Sequence, residues 1–386
     1  MTKVASWMPL VALWTCGANL RLTILAVPPV ISIIQAELGL SGTEVRLLSA
    51  IPVIMFAIAA TPGSSLVSRF GVKRALLTGL VITAAGAASR AASSNIWLLC
   101  ATSLVMSSGV ALMQPTMAAA VRAWVPARAA FGTAVYTNGL IVGEVLPVAI
   151  MLPLLLPALG DWRLALGIWA IPVAAAAVFV ATLPSTWDPA AAAPEPIRWL
   201  PELNGQLKWR VGLILGSVSS TYFCTNAFLP ALLNGNGHPE LISAALTALN
   251  LGQFPTSFLL LFVADRVQGK RWPYLLLGLL LIVGLAGLVC FGASWSVFWA
   301  AILGATCGAA LALALALAPL LCGNPDEVAR VSAAAFAISY SFAMLVSFAS
   351  GVAWDVTGNV NAAFAPILLA TVPILALPPT LFAWRR

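Results

Sequence analysis

Residues 64–74 read SSLVSRFGVKR, a short basic turn with one glycine that interrupts an otherwise strongly apolar stretch of the chain. A second turn of the same kind, residues 265–271 (DRVQGKR), occupies the corresponding place in the second half of the chain. Each turn is flanked by apolar segments of roughly 20 residues, the length that a helix needs to cross a bilayer. The repeat therefore predicts a membrane protein built from two similar halves.

The composition supports a membrane protein and excludes several soluble classes. The chain has 386 residues, of which 61% are hydrophobic and 8% are charged, whereas a soluble domain has about 25% charged residues. So few charged side chains cannot cover a soluble protein, which excludes a soluble enzyme, a nucleic-acid-binding domain and a disordered chain. The net charge of +7 is interpreted as a mark of membrane topology.

Charged residues and clusters of Pro, Gly and Asn divide the chain into twelve apolar segments, named spans one to twelve. Their limits are 8–34, 45–67, 74–93, 96–118, 130–156, 162–183, 210–233, 240–264, 273–293, 295–320, 329–353 and 362–384. Span one is too long for the apolar core of a signal peptide and is interpreted as a membrane helix. The spans leave only short connections, so we predict an all-α membrane protein with twelve transmembrane helices.

The longest polar break lies near the middle of the chain and divides the spans six and six. It begins with PSTWDP at residue 184 and contains an alanine run and further prolines, which is typical of an exposed linker. We predict an N-terminal six-helix bundle over residues 1–183, a cytoplasmic linker over 184–209 and a C-terminal six-helix bundle over 210–386.

The basic residues predict the orientation in the membrane. With the N-terminus inside, 15 of the 19 Lys and Arg residues fall in cytoplasmic segments, while Arg21 lies within span one and three residues fall outside: Arg46, Arg90 and Arg163. Cytoplasmic loops of membrane proteins carry the excess of positive charge. The sequence thus predicts a multi-pass protein of a bacterial-type inner membrane with both termini in the cytoplasm.

The turn between spans two and three resembles the signature of the major facilitator superfamily, roughly Gly-x-x-x-Asp-Arg-x-Gly-x-Arg-Arg. The matching residues are Arg69, Gly71, Lys73 and Arg74. The leading glycine is displaced to Gly63, and Ser68 stands where the family has aspartate. The resemblance implies a twelve-helix transporter with a 6+6 pseudo-symmetric fold.

The same resemblance implies a conformational role for the two basic turns. In the family, the aspartate of the signature helps to latch the two halves together on the cytoplasmic side. Ser68 cannot supply that carboxylate, whereas Asp265, followed by Arg266 in the second turn, can keep one such latch.

Within the superfamily, the chain resembles the cyanate and 2-nitroimidazole permeases. The likeness rests on short motifs: Asn19-Leu20-Arg21 followed by Pro28, Val125-Pro126, Phe131-Gly132-Thr133-Ala134, Tyr136, Asn138-Gly139, and Tyr222 followed by Leu229-Pro230. These motifs do not fix the substrate. A small anion or small polar solute with a cyanate, nitro or carboxylate group is expected, because such groups offer acceptor atoms that match the guanidinium of Arg21.

Two charged residues lie near the middle of predicted spans, Arg21 in span one and Glu144 in span five. A charge at the bilayer centre costs about 2.5–3.5 kcal/mol on insertion scales, so it normally faces protein or water and marks function. A guanidinium presents a planar fork of donors that matches an anion or a strongly dipolar group. Arg21 is therefore predicted to be the substrate anchor, and the alternative is a structural ion pair with Glu144.

The sequence leaves two roles open for Glu144. It can carry a proton together with the substrate, or it can stay ionised throughout as the partner of Arg21. Glycines lie close to both charged positions, at Gly17, Gly139 and Gly143. Small residues let membrane helices approach closely, so close helix packing is predicted at these positions.

Other polar residues in the spans are further candidates for substrate contact. Arg21 lies eight residues before Pro29. In span seven, Tyr222 lies eight residues before Pro230, so it is predicted to occupy the corresponding place and to face the same cavity. Asn226 follows one turn later on the same helix face. Weaker candidates are Asn19, Gln114 and Tyr340. The alternative for each residue is a role in holding helices together.

The sequence carries no GxSxG, HExxH, P-loop or GxGxxG motif, and its single His and six Cys show no metal spacing. We therefore predict a secondary active transporter rather than an enzyme, with no cofactor and no metal. The expected partners are a small-molecule substrate, the lipid bilayer and, if Glu144 titrates, protons. Nucleic acid is not an expected partner. The protein is expected to be a monomer. The alternative is a proton-coupled multidrug exporter of the same fold.

Overall fold

The computed structural model describes residues 7–40, 42–184, 202–291 and 295–383. Every regular element in these ranges is helical, which confirms the predicted all-α class. Most of the predicted linker lies outside the described residues.

The helices of the first half cover spans one to six. They are α1 (Met8–Asn19), α2 (Ile31–Leu38), α3 (Gly42–Phe70), α4 (Val72–Ser89), α5 (Ile96–Trp124), α6 (Ala129–Ile150), α7 (Leu156–Leu159), α8 (Trp162–Gly167) and α9 (Ala170–Thr182).

The helices of the second half cover spans seven to twelve. They are α10 (Gln206–Gly235), α11 (Ile242–Leu251), α12 (Gln253–Val267), α13 (Trp272–Cys290), α14 (Ser296–Leu321), α15 (Pro325–Thr357), α16 (Phe364–Leu369), α17 (Val372–Ala376) and α18 (Pro378–Ala383).

The described residues contain nine helical stretches that are long and apolar enough to cross a membrane. They correspond to spans three to six and eight to twelve. The 29-residue α3 and the 30-residue α10 supply spans two and seven, while span one is divided between α1 and α2. Each of the twelve predicted spans thus contains helix in its described residues.

The chain divides into two compact units, which are described separately. Unit 1 comprises Met1–Glu202 together with Leu321–Ala333, and unit 2 comprises Leu203–Leu320 together with Ala334–Arg386. The predicted bundle boundaries at residues 183 and 210 stay a prediction.

The prediction that span one is continuous over 8–34 was wrong. Helix α1 ends at Asn19, residues 20–27 form irregular turns, and a 3₁₀ turn at Pro28–Val30 leads into α2. The irregular stretch 20–27, named here the span-one break, carries Arg21.

Two successive prolines account for the end of the break next to α2. A regular helix would use the N–H groups of residues 28 and 29 to bond the carbonyls of Ile24 and Leu25. Pro28 and Pro29 have no N–H, and their rings crowd those carbonyls. Inside the break, hydrogen bonds of 3₁₀ type and of α type occur together. Ile24 N and Leu25 N, three and four residues further on, both donate to the Arg21 carbonyl at 3.0 Å.

Helix α2 is held in unit 1 by a buried apolar cluster even though span one is interrupted. Its members come from α2, α3, α5, α8 and the turns beside α2 and α6, and include Val30, Ile34, Leu48, Leu99, Met151 and Trp162. The cluster fixes one end of the span-one break, while packing between α1 and α6 fixes the other.

Candidate functional site

Spans one and five pack backbone against backbone in unit 1. A Cβ atom added to Gly17 of α1 would lie 2.2 Å from the Tyr136 carbonyl oxygen. A Cβ atom added to Gly143 of α6 would lie 2.1 Å from the Ala18 carbonyl oxygen. One added to Gly139 would lie 2.2 Å from the Trp14 carbonyl oxygen of α1. The predicted close packing at these three glycines is confirmed, because only a residue without a side chain fits there.

Arg21 and Glu144 form an ion pair beside this contact. Arg21 Nε lies 3.4 Å from Glu144 Oε1, and the two side chains are 15% and 13% exposed. The guanidinium carbon of Arg21 also lies 5.3 Å from the ring centroid of Phe56 in α3, within range of a cation–π attraction. The sequence left open whether the two charges meet, and the structure brings them together.

Two weaker candidates, Asn19 and Gln114, are buried in unit 1. Asn19, the last residue of α1, donates from Nδ2 to the Thr15 carbonyl at 2.9 Å. Its Oδ1 is buried and has no hydrogen-bond partner among the described residues. Asn19 thus retains an acceptor close in sequence to the Arg21 cation, which is an arrangement suited to a ligand that carries a donor.

Arg90 joins this region from the end of predicted span three, where it was counted with the outside residues. Its side chain is buried at 1% exposure, which the sequence did not predict. Nη1 donates to the Thr23 carbonyl in the span-one break at 2.8 Å, and Nε and Nη2 donate to Ser103 Oγ at 3.2 and 3.0 Å. The position of Arg90 at the end of α4, beside a polar run, gave no sequence signal of burial.

In unit 2, Tyr222 and Asn226 of α10 form a hydrogen-bonded cluster with Asn250 of α11. The Tyr222 hydroxyl donates to Asn250 Oδ1, and Asn250 Nδ2 donates to Asn226 Oδ1 at 3.1 Å. Asn226 Nδ2 donates to the Tyr222 carbonyl at 2.9 Å. These three residues, named the amide cluster, are uncharged and offer both donors and acceptors.

Tyr340 lies in α15 within an aromatic group of unit 2. Its ring centroid is 6.4 Å from that of Phe223 and 6.2 Å from that of Phe336. The preceding residue, Ser339, donates to the Ser219 hydroxyl of α10 at 3.0 Å. These contacts support a packing role for Tyr340 between spans seven and eleven.

The two basic turns share a glycine with a positive φ. Gly71 has φ +83° and Gly269 has φ +72°, a conformation that glycine adopts without steric cost. Arg69 lies over the ring of the next residue at 5.4 Å, and Lys73 Nζ donates to the Leu183 carbonyl. The other predicted turn residues are exposed: Arg74, Asp265 and Arg266.

Ser68 stands where the family signature has aspartate, and its side chain bonds within its own helix. Its hydroxyl donates at 3.0 Å to a carbonyl one turn earlier in its own helix.

At the end of α5, Arg122 donates from Nε and Nη2 to the Gly323 carbonyl at 3.3 and 3.1 Å. Gly323 N in turn donates to Glu327 Oε2 at 2.9 Å. These contacts lie within unit 1, which includes Leu321–Ala333.

Glu37, at the end of α2, accepts two hydrogen bonds from the start of α8. Arg163 Nη1 donates to Oε1 at 2.7 Å and Trp162 Nε1 donates to Oε2 at 2.8 Å. Arg163 Nε also donates to the Ser93 carbonyl at 2.7 Å. The hydrogen bond from Arg163, followed by that from Trp162, lowers the pKa of Glu37. These residues, named the Glu37 clasp, tie α2 to α8 and to the loop between α4 and α5.

The described residues contain no group of three His, Cys, Asp or Glu side chains that could hold a metal ion. The polar chemistry of unit 1 is a charged pair beside a broken helix, and that of unit 2 is a neutral amide cluster. Both arrangements are suited to binding polar groups through hydrogen bonds and charge.

Comparison with known proteins gives the family. The family model described as Major Facilitator Superfamily matches residues 13–347. The chain is 25% identical over 367 residues to the 2-nitroimidazole transporter of Escherichia coli (strain K12), covering 95% of this chain and 92% of that protein. It is 26% identical over 291 residues to the cyanate transport protein of the same bacterium, covering 75% of each.

Solved structures share the fold. The fucose:proton symporter of E. coli superposes with a TM-score of 0.72 at 14% identity, covering 98% of each chain. The human organic anion transporter superposes with a TM-score of 0.73 at 15% identity, covering 98% of this chain and 100% of that one. At such low identity, the likeness shows the fold alone.

Proposed function

The chain belongs to the Major Facilitator Superfamily, and we propose on this premise that it is a secondary active transporter of a small anion or small polar solute. It is a multi-pass transporter of the inner membrane and not an enzyme. In the proposal, the substrate carries a cyanate-, nitro- or carboxylate-like group and moves by alternating access, both termini are cytoplasmic, and the working unit is a monomer.

The observation that carries the proposal is the Arg21–Glu144 pair at the span-one break. A charged side chain inside a membrane bundle normally faces a partner or an aqueous cavity and marks a functional site. The guanidinium of Arg21 stays charged at any physiological pH and offers a planar fork of N–H donors. An anion that replaces Glu144 beside Arg21 meets the same donors that the internal carboxylate meets.

The substrate class draws support from two relatives. One is a 2-nitroimidazole transporter and the other a cyanate transport protein. A nitro group and a cyanate ion both present electron-rich acceptor atoms of the kind that a guanidinium binds. At about 25% identity the substrate can differ, and the shared chemistry is therefore proposed rather than one compound.

Glu144 is proposed to couple the substrate to a proton. In the empty transporter its carboxylate faces Arg21. When an anion takes its place beside Arg21, the carboxylate loses its countercharge, and taking up a proton removes the cost of leaving a bare charge in the bundle. The anion and the proton would then move together.

Polar residues without charge are proposed to complete the recognition. Asn19 offers its buried Oδ1 in unit 1 to an N–H or O–H group elsewhere on the substrate, and Gln114 offers an amide from α5. In unit 2, Tyr222 and Asn226 offer a hydroxyl and an amide that the amide cluster holds in place. Tyr340 is kept as the weakest candidate, since its aromatic contacts favour packing.

The test is a thermal-shift panel on the detergent-purified protein with cyanate, nitrate, small carboxylates, 2-nitroimidazole and lipophilic cations. A ligand that binds the folded state raises its melting temperature by mass action. We expect stabilisation by an anion or nitro compound, and loss of that stabilisation in Arg21→Ala. The matched control is Arg271→Ala, which removes an exposed arginine at the start of α13 and should leave the shift unchanged.

One result would overturn the proposal. Stabilisation by lipophilic cations alone, equal in wild type and Arg21→Ala, would favour the multidrug exporter. The Arg21–Glu144 pair would then be a structural ion pair. A shift with an anion that survives Arg21→Ala would keep the substrate class and remove Arg21 from the site.

A further inference from the structure

Arg90 is a buried arginine without a carboxylate partner in the part of the chain that the structure describes. It opens the 3₁₀ turn Arg90–Ala92 after α4, and its side chain is 1% exposed. None of the ion pairs formed by described residues includes it. Buried charges in proteins are normally paired, because an unpaired one loses its hydration without compensation. The charge of Arg90 is therefore compensated only by hydrogen bonds to neutral groups.

The guanidinium supplies a donor that the broken helix lacks. In a regular helix the Thr23 carbonyl would accept from Val27 N. Here Val27 N donates to the Ile24 carbonyl at 3.4 Å instead. Arg90 Nη1 donates to the Thr23 carbonyl at 2.8 Å. Arg90 thus satisfies a backbone oxygen that the break deprives of its helical partner.

The same contact fixes the stretch of backbone that carries Arg21. Thr23 is two residues beyond Arg21, and the turn between them is closed by Ile24 N and Leu25 N, which both donate to the Arg21 carbonyl at 3.0 Å. On its other side, the Arg90 guanidinium is anchored on α5 through two hydrogen bonds to Ser103 Oγ. The break is therefore tied to α5 next to the residue that forms the charged pair.

We propose that Arg90 is a positioning residue that holds the span-one break in the shape that presents Arg21 to Glu144 and to the substrate. This inference rests on the proposed function, because Arg90 acts through Arg21 rather than on the substrate. A guanidinium suits the task, since it keeps its charge and its fork of donors reaches two acceptors in fixed directions. Lysine would place one point charge there.

The first measurement needs no substrate. Hydrogen–deuterium exchange of the purified full chain is compared between wild type and Arg90→Gln, over peptides that cover residues 20–27 and over α6 as internal reference. Glutamine is shorter and neutral, so the Thr23 carbonyl loses its donor. We expect exchange in the break to be at least about tenfold faster and exchange in α6 to be unchanged. Equal exchange in the break would overturn the proposal.

The second measurement separates positioning from a general structural role. Uptake into proteoliposomes is measured with cyanate, or with 2-nitroimidazole if the thermal-shift panel selects it. We expect Arg90→Gln to raise KM about tenfold with a smaller change in kcat, and Arg90→Lys to recover part of the loss. In an Arg21→Lys background the same substitution should change KM less than about twofold. An equal effect in both backgrounds would overturn the proposal.

Failure of this inference and failure of the proposed function give different results. If Arg21→Ala leaves anion binding intact, the part of the proposed function that makes Arg21 the substrate anchor fails, and the role of Arg90 through Arg21 fails with it. If Arg21→Ala abolishes binding while Arg90→Gln changes neither exchange nor KM, only the Arg90 inference fails. If Arg90→Gln does not fold, Ser103→Ala is measured in its place. This variant removes the two hydrogen bonds that anchor the Arg90 guanidinium on α5 and should raise KM about threefold. Unchanged KM and unchanged exchange in the break would overturn the inference.

Discussion

The charged pair of unit 1 and the amide cluster of unit 2 contain residues at corresponding places in the sequence but differ in chemistry. The first is a pair of opposite charges, and the second is a set of uncharged hydrogen-bonding groups. Arg21 and Tyr222 each precede a proline by eight residues. In span one two prolines follow each other and the helix is interrupted. In span seven α10 continues from Gln206 to Gly235 through the single Pro230.

The difference shows how backbone regularity and charge are linked in this molecule. The interrupted span leaves the Thr23 carbonyl without a helical donor, and the cation Arg90 supplies one. The continuous span keeps its helical backbone, although Pro230 lacks an N–H, and the polar side chains on and beside it bond one another, as Tyr222, Asn226 and Asn250 do. Charge-based recognition is therefore proposed for unit 1 and neutral polar contact for unit 2.

The largest effect on affinity is expected from Arg21→Lys. A point charge replaces a fork of parallel donors, so the Kd for the anion should rise by a factor of ten to a hundred, about 1.4–2.8 kcal/mol. Titration of the thermal shift against anion concentration measures it. Wild-type affinity in this variant would show that Arg21 does not bind the anion, and would contradict the proposal that unit 1 recognises the substrate through charge.

A large effect on stability is expected from Gly143→Ala. The added Cβ meets the Ala18 carbonyl oxygen at 2.1 Å, so spans one and five must separate and the Arg21–Glu144 contact must loosen. Overpacking of this kind costs about 1–3 kcal/mol, and the melting temperature should fall. The matched control is Gly351→Ala in α15 of unit 2, where nothing lies within 4 Å. Equal melting temperatures for the two variants would contradict the backbone contact.

Glu144→Gln should change the pH response more than the affinity. Glutamine has a similar size and can still accept a hydrogen bond from Arg21, but it cannot take up a proton. Anion binding should persist, and the pH dependence of uptake between about pH 5 and 8 should disappear. A pH profile that matches the wild type would show that Glu144 is not the proton carrier.

Tyr222→Phe should have a modest effect, because it removes one neutral hydrogen bond from the amide cluster. Such a bond contributes about 0.5–1.5 kcal/mol, so KM should rise by a factor of roughly two to ten with no change in pH dependence. Initial uptake rates over a range of substrate concentrations give the value. A loss as large as that of Arg21→Lys would contradict the division between the charged and the neutral region.

The smallest effect is expected from Glu37→Gln, which changes the exposed carboxylate of the Glu37 clasp. The bonds from Arg163 and Trp162 lower the pKa of Glu37 below its usual value of about 4.3. Their stabilisation is therefore present above that value and is lost as the pH falls through the lowered pKa. The melting temperature of the variant should lie slightly below wild type at pH 7 and approach it as the medium is acidified towards pH 3.

A matched control for the clasp is Glu240→Gln. Glu240 faces His238, two residues away on the same turn, at 2.9 Å. That contact ties no two helices together, so its removal should leave the melting temperature unchanged. A larger loss for Glu240→Gln than for Glu37→Gln would contradict the proposed role of the clasp.

The sequence predicted which residue types form the site of unit 1, and the structure decided their contacts. Arg21 and Glu144 stand out because each is a charge in a long apolar run, and Gly17 and Gly143 because small residues mark close helix contacts. Whether the two charges meet depends on how α1 and α6 are rotated and staggered against each other. Neither quantity can be read from one helix alone, because each is set by packing across the pair.

Arg90 shows where reasoning along the chain fails. Its neighbours in sequence are small and polar, as in an exposed loop, whereas its neighbours in space are Thr23 and Ser103 on two other spans. Burial of an arginine at the end of a helix depends on what packs over that end. The extent of the span-one break has the same origin: the prolines at 28 and 29 predict a disturbance one turn back, but the irregular backbone begins at residue 20.

The sequence by itself determined the class of this protein, its twelve helical spans and the two charges within them, because hydropathy, length and charge add up residue by residue along the chain. Only the tertiary structure decided that Arg21 meets Glu144, that span one is broken over residues 20–27 and that Arg90 donates to the Thr23 carbonyl inside this break. Those outcomes depend on contacts between segments far apart in sequence, and such contacts are set by the rotation, depth and packing of whole helices rather than by any one stretch of residues.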